Sequence, residues 1–223
     1  LSAAIARLEQ HPMPARLEGP IRSMLEDAAP HMSFPLRTVM ANLWIFSGLV
    51  KRVLAADPAP NAAIRTTTAP TIFHSGTKEN VLPIKANAIV NFRILPGDTV
   101  QSVIDHAKRA VHDDRVKIAI LEGHESTEPS PVSDINAEGY RMIAQSVRET
   151  RPDASVTPGL TLGGTDSKNY VGVADNLYRL EPMLFTMADL GLIHSTNEHI
   201  NIENYVRGVQ TYAQIMRNAA GKK

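Results

Sequence analysis

The feature that most constrains the fold is a run of nine residues in which apolar and other side chains alternate. From Ala86 to Ile94 every second residue is apolar, which is the period of a β-strand with one face on a core. Pro96-Gly97-Asp98 follows as a turn, and apolar residues then recur at helical spacing from Val100 to Val111, with Asp98 placed to cap that helix. A strand that leads directly into an amphipathic helix indicates a small α+β sandwich.

Further elements are predicted on both sides of this strand and helix. Strands are predicted over residues 64–68, 71–74, 116–121, 155–158 and 177–180, and helices over 3–10, 17–25, 137–148 and 202–213. The proline-rich segment Glu128-Pro129-Ser130-Pro131 lies near a change of composition. We therefore predict two domains, residues 1–124 and 125–223. The second is predicted to be the C-terminal part of an α/β sheet domain.

Composition excludes several classes of function. The formal net charge of the 223 residues is zero and there is no long basic run, so no nucleic-acid partner is expected. The chain has no cysteine, which rules out disulfides, thiolate zinc sites and a cysteine nucleophile. No apolar run approaches the roughly 20 residues of a membrane span. Because the chain opens on Leu1 with a helical pattern already under way, we expect it to be a fragment of a longer polypeptide.

A histidine-containing segment, Gly191–His199, lies between a strand-like run and the last predicted helix. In open α/β sheets, ligand-binding sites lie beyond the ends of the strands, where the chain passes from a strand to a helix. His194 could offer a neutral imidazole to a metal, with Glu198 orienting the ring. The alternative is a helix cap with solvated histidines, in which the capping residue is Ser195, Thr196 or Asn197.

A glycine-rich turn, Gly163-Gly164-Thr165-Asp166-Ser167, is the second candidate site. Exposed backbone N–H groups at a helix start could bind a carboxylate or an oxyanion. The alternative is an ordinary turn in which Thr165 or Asp166 caps the helix. Lys168 could pair with an anionic substrate or face solvent.

Two residues of the first predicted domain also have side chains suited to a substrate. Arg93 lies on the face of the alternating strand opposite its apolar face, where its guanidinium could bind a carboxylate through two hydrogen bonds. Asn80 precedes Val81-Leu82-Pro83, and its amide could donate to a substrate carbonyl or close the turn.

Together these motifs resemble the two-zinc aminoacylase and carboxypeptidase amidohydrolases, in particular the carboxypeptidase S and Gly-Xaa carboxypeptidase branch. The resemblance rests on four ordered stretches and extends over essentially the whole chain. They are Asn80-Val81-Leu82-Pro83, the segment from Val90 to Asp98, the Gly163–Ser167 turn and the segment from His194 to Ile200.

The resemblance implies a fold and a partner. The fold would be a ferredoxin-like lid domain, which forms a homodimer, followed by the C-terminal part of a phosphorylase/hydrolase-like α/β zinc-peptidase domain. The substrate would be a peptide or an N-acyl amino acid with a free carboxylate. The complete enzyme would hold two zinc ions.

The resemblance also assigns residues. His194 corresponds to a metal ligand, Asn80 and Arg93 to lid residues that reach the substrate, and Gly163, Gly164 and Thr165 to the backbone that receives the substrate carboxylate. The family commonly has arginine where this chain has Lys168, and lysine keeps the charge but loses the fork geometry.

The resemblance further implies that the other metal ligands and the general base lie before the lid, outside this chain. At most one partial zinc site is therefore expected here, and the chain alone is expected to be inactive, unless its own N-terminal piece stays associated. The alternative function is a non-catalytic dimerisation or peptide-binding module of the same fold, which the apolar segment around Leu43, Trp44 and Phe46 would suit.

Overall fold

A computed structural model describes residues 1–123, 126–186, 189 and 191–221. The chain divides into two compact units, Leu1–Pro131 with Leu162–Gly164, and Val132–Thr161 with Thr165–Lys223. The predicted boundary falls at residues 124 and 125, which lie outside the described residues, and it stays a prediction. Mixed helices and a small sheet agree with the α/β class, whereas the ferredoxin-like arrangement of the lid stays a prediction.

The first unit contains six helices and one hairpin among its described residues. Their bounds are α1 Ser2–Gln10, α2 Gly19–Ala28, a 3-10 turn Ala29–His31, α3 Phe34–Ala41, α4 Leu43–Leu54, α5 Pro58–Ile64, β1 Thr67–Ser75, β2 Ala86–Arg93 and α6 Val100–Val111. Helices α1 and α6 pack together, and Arg7 Nη1 donates to the carbonyl of Val111 at 2.8 Å. The expected face of α6 is buried through Val103, Ala107 and Val111.

The hairpin corrects two details of the sequence prediction. Residues 64–68 and 71–74 do not form two strands: Ile64 ends α5, and a single strand β1 runs antiparallel to β2, with Thr67 opposite Arg93 and Ser75 opposite Ala86. The register shifts between Pro70 and Ile72. Proline has no N–H to give to the ladder, so the pairing is irregular beside it.

The second unit pairs two long helices. They are α7 Glu138–Thr150 and α8 Ile202–Ala220, with a 3-10 turn Asp166–Tyr170 between them in the chain. Their packing is partly polar, because Ser146 and Thr211 are fully buried. Asn218 Nδ2 donates to Ser146 Oγ at 2.9 Å, so the buried hydroxyl keeps a partner.

Three predicted strands, at residues 116–121, 155–158 and 177–180, are not strands in the described structure. Strand-like composition needs a neighbouring backbone to pair with. Leu177 instead pairs with a side chain, since its N–H donates to Ser133 Oγ at 2.8 Å and its carbonyl accepts from the same hydroxyl at 3.1 Å. A serine hydroxyl thus takes the place of a strand partner. No described helix has both the length and the apolarity to cross a membrane.

Candidate functional site

The glycine-rich turn leads into a short 3-10 turn. Thr165 holds the N-cap position of Asp166–Tyr170, but its side chain makes no capping hydrogen bond. Thr165 therefore holds the N-cap position that the alternative interpretation gave it, but it does so without a side-chain hydrogen bond. Five residues of 3-10 structure sum few peptide dipoles, so any ligand affinity has to come from individual N–H groups and side chains.

Room is available beside the two glycines. A Cβ at Gly163 or Gly164 would meet no atom within 4 Å, and neither residue has a positive φ. Both are exposed, and so are Thr165 and Lys168. The backbone at this turn is thus open to a ligand, while its role in receiving a carboxylate stays a prediction.

Arg179 joins the turn through its guanidinium. Its Nε lies 2.6 Å from Ser167 Oγ and 3.2 Å from Thr165 Oγ1, and the two hydroxyls are 2.5 Å apart. The guanidinium therefore ties together the first residues after the glycines. Sequence reasoning missed this residue because it treated 177–180 only as a strand, although an arginine inside an apolar run is itself a signal of a polar partner.

The histidine segment is irregular. His194 is exposed and has a φ of 61°, in the left-handed region that non-glycine residues seldom adopt. Its ring makes no hydrogen bond to Glu198 among the described contacts, so the suggested orienting bond is not seen. His199 is placed differently, because its Nδ1 lies 2.6 Å from the carbonyl oxygen of Asn197.

The cap of α8 is a correction to the sequence interpretation. Neither Ser195, Thr196 nor Asn197 caps the helix. Asn201 is the N-cap, and its side-chain oxygen accepts from the N–H of Asn204 at 3.2 Å. Because α8 starts at Ile202, the three residues of the prediction lie too far upstream to reach its first N–H groups.

A cleft of about 390 Å³ lies beside the start of α8 in the second unit. Its lining includes apolar and titratable side chains, among them Leu184, Phe185, Asp189, His199, Glu203 and Arg207. The hydroxyl and N–H of Thr186 donate to Asp189, and these hydrogen bonds, with a smaller contribution from His199, hold the pKa of that carboxyl below its usual range. Sequence reasoning did not identify this cleft.

In the first unit, Asn80 and Arg93 are each exposed. Asn80 lies in the loop that joins β1 to β2, and Arg93 ends β2 opposite Thr67. Gly163 and Gly164 group with this unit, whereas Thr165, Lys168 and His194 belong to the second. Each of the seven predicted site residues is therefore exposed within its own unit.

The donor set does not make a complete metal centre. Within the described residues, no three histidine, cysteine, aspartate or glutamate side chains are grouped to hold an ion. A two-metal centre needs several ligands around ions roughly 3.5–4 Å apart. His194 can supply one imidazole at most, and the expected partial site stays a prediction.

Comparison with known proteins defines the class. Residues 10–218 match the model of peptidase family M20/M25/M40, and the chain belongs to that family. It is 39% identical over 221 residues to the N-fatty-acyl-amino acid synthase/hydrolase PM20D1 of Xenopus tropicalis, which covers 98% of this chain and 43% of the relative. It is 35% identical over 218 residues to the probable carboxypeptidase S-like 2 of Dictyostelium discoideum, covering 98% and 41%.

The chain thus spans less than half of the length of these curated relatives. A solved structure, the M20 family metallo-carboxypeptidase Sso-CP2 from Sulfolobus solfataricus, aligns with a TM-score of 0.48 and 13% identity, over 96% of this chain and 54% of that one. The family resemblance deduced from the four motifs is confirmed by the family match and by the carboxypeptidase S-like relative.

Proposed function

We propose that the protein is part of a zinc-dependent amidohydrolase that cleaves an amide bond next to a free carboxylate. The observation that carries the proposal is the family match over residues 10–218. The relatives' names point to one shared chemistry. An N-acyl amino acid and the C-terminal residue of a peptide both present a carboxylate one carbon from the amide nitrogen that is released.

The proposed roles follow the chemistry of the side chains. Arg93 binds the substrate carboxylate through its planar fork, and Asn80 donates to the carbonyl of the scissile amide. The Gly163-Gly164-Thr165 backbone offers N–H groups to an anionic oxygen, and Lys168 adds a positive charge. His194 supplies one imidazole to the metal centre, whose other ligands and general base come from outside this chain.

Arg179 is proposed as the residue that keeps the glycine-rich turn in position. Its bonds to Ser167 and Thr165 restrict the turn without using the backbone N–H groups, which stay available to substrate. The proposed assembly is a homodimer through the lid, as the resemblance implies.

The test is hydrolysis by the complete protein. N-acyl amino acids and dipeptides should be cleaved, and the methyl ester of each carboxylate should be a poor substrate. A chelator should remove the activity, and zinc should restore it. His194→Ala should abolish turnover, whereas His199→Ala, in the same segment, is the matched control and should retain it.

Two results would contradict the proposal. One is equal cleavage of acids and methyl esters, which would remove the role of the carboxylate. The other is chelator-sensitive turnover by the 223-residue chain alone, since this chain is proposed to be inactive by itself. Intact mass spectrometry of the purified natural protein reports whether an N-terminal piece stays bound.

A non-catalytic dimerisation or peptide-binding module is the second candidate. One observation favours it, the exposed apolar side of α4, where Trp44 is 77% exposed. A module of this kind would bind peptides with a free carboxylate but would show no turnover after zinc is added.

A further inference from the structure

Helix α4 presents an apolar strip to solvent. Trp44, Ile45, Leu49 and Val53 are 77%, 56%, 53% and 62% exposed. Ile45, Leu49 and Val53 are four residues apart and form one strip along the helix, and Trp44 stands on the neighbouring side. The buried residues Leu43 and Val50 lie on another side. The helix is therefore held by one side while a second apolar side makes no contribution to the core.

The preceding helix also exposes large apolar side chains. In α3, Phe34 is 77% exposed and Leu36 is 43% exposed. Single exposed apolar residues are ordinary on soluble proteins, but several large exposed side chains on two consecutive helices indicate an interaction surface. We call the exposed apolar residues of α3 and α4 the α3–α4 face.

The charge of this segment decides what kind of partner fits. Between Asp27 and Asp57 there is no acidic residue, and the segment carries three permanent cations, Arg37, Lys51 and Arg52. The net charge of the whole chain is zero, so this positive charge is local. Arg52 lies in the same stretch of helix as the apolar strip, and its exposed side chain can place its charge at the edge of a lipid surface.

We propose that the α3–α4 face docks on an anionic lipid surface, with α4 lying in the plane of the interface. Apolar side chains including a tryptophan, flanked by cations, are the signature of an interfacial helix. The 12 residues of α4 extend for about 18 Å, which is too short to cross the bilayer, so the attachment is peripheral. This proposal does not depend on the proposed catalytic function.

The experiment uses a natural reporter, because Trp44 is the chain's single tryptophan. The 223-residue chain is mixed with vesicles of phosphatidylcholine containing phosphatidylserine, or of phosphatidylcholine alone. On the anionic vesicles, Trp44 emission should move to shorter wavelength and should be quenched by brominated acyl chains. Added salt should weaken the binding because it screens the attraction.

Variants of the apolar strip keep the reporter in place. Leu49→Ser combined with Val53→Ser should lower the vesicle partition coefficient by about tenfold or more, since two exposed apolar groups no longer enter the interface. The matched control replaces two apolar residues of the second unit that are even more exposed, Val173 and Ile202, by serine and should bind as the unchanged chain does. Circular dichroism verifies that both proteins fold.

Charge variants test the choice of lipid. The charge variant combines Arg37→Gln, Lys51→Gln and Arg52→Gln. Its binding to anionic vesicles at low salt should fall by about fivefold for each charge removed. The control removes three exposed cations elsewhere, Lys108→Gln, Arg141→Gln, Arg148→Gln, and should leave most of the binding intact.

Three results overturn the proposal. The first is the absence of a Trp44 shift on anionic vesicles. The second is an equal loss of binding in a variant and its matched control. The third is a lipid-free dimer, seen by light scattering, that shields Trp44 from quenchers in water, because a second copy would then occupy this face.

Discussion

Arg16 and Asp98 form an ion pair across 82 positions of the chain, with Arg16 Nη1 donating to Asp98 Oδ1 at 2.8 Å. The carboxylate is 9% exposed, and its other oxygen accepts from Thr66 Oγ1 at 2.5 Å. Thr66 Oγ1 in turn accepts from the N–H of Leu95 at 2.9 Å. This network connects the segment after α1, the start of the hairpin and the turn before α6, so it holds the first unit together.

Asp98→Asn should therefore destabilise the first unit. The asparagine amide is uncharged, so it cannot form an ion pair with Arg16, and it has only one oxygen that can accept a hydrogen bond. We therefore expect the free energy of unfolding to fall by about 2–3 kcal/mol. Urea titration followed by circular dichroism measures it. Asp114→Asn, at an exposed position, is the control and should change stability by less than about 0.5 kcal/mol. Equal effects of the two substitutions would show that the network does not stabilise the unit.

Glu149 should make the stability of the second unit depend on pH. Side-chain amides of Asn218, Gln145 and Gln214 donate to its carboxylate and lower its pKa in the folded state. A lowered folded pKa stabilises the fold above the unfolded pKa, and this contribution is lost as the pH falls through the folded pKa.

The measurement is the urea midpoint from pH 7 down to pH 3. The unchanged chain should lose stability over the acid range, and Glu149→Gln should show a shallower fall. Asp153→Asn, at an exposed position of the same unit, should keep the full slope. A slope that Glu149→Gln leaves unaltered would remove Glu149 from the explanation.

Asn201→Ala should destabilise α8 by about 1 kcal/mol, because the N–H of Asn204 loses its side-chain acceptor. Ser195→Ala is the informative control, since Ser195 is one of the residues that the sequence suggested as the cap and it lies outside the helix. Thermal unfolding of both variants decides between them. A larger loss from Ser195→Ala would mean that the helix begins earlier than Ile202.

Arg93→Lys in the complete enzyme should raise KM for an N-acyl amino acid about tenfold and should change kcat little. Lysine keeps the charge but cannot form two parallel hydrogen bonds with a carboxylate. Arg109→Lys, at an exposed position of α6, should leave both constants unchanged. A fall in kcat at constant KM would place Arg93 in the chemical step and would contradict its role in binding.

Several elements could be predicted because their signal is local. The period of two from Ala86 to Ile94 predicted β2, and the helical spacing after Val100 predicted α6 and its buried face of Val103, Ala107 and Val111. A side chain's direction in a strand or helix depends on its neighbours within a few residues, so the pattern is visible in the sequence.

The hydrogen-bond partners of individual polar residues could not be predicted from such local patterns. Asp98 was expected to cap α6, but Thr99 does so through a capping box with Ser102. The carboxylate of Asp98 instead accepts hydrogen bonds from Arg16 and Thr66. Arg179 was read as part of a strand and instead bonds to the hydroxyls of the glycine-rich turn.

By itself, the sequence determined the family, the apolar faces of the main helices and the residue types available for binding a carboxylate. Only the tertiary structure decided which donors and acceptors meet: Asp98 with Arg16, Leu177 with Ser133, and Arg179 with Ser167. The physical reason is distance along the chain. Each of these hydrogen bonds depends on the final position of a partner a dozen or more residues away, whereas a periodic apolar face depends only on adjacent turns or pleats.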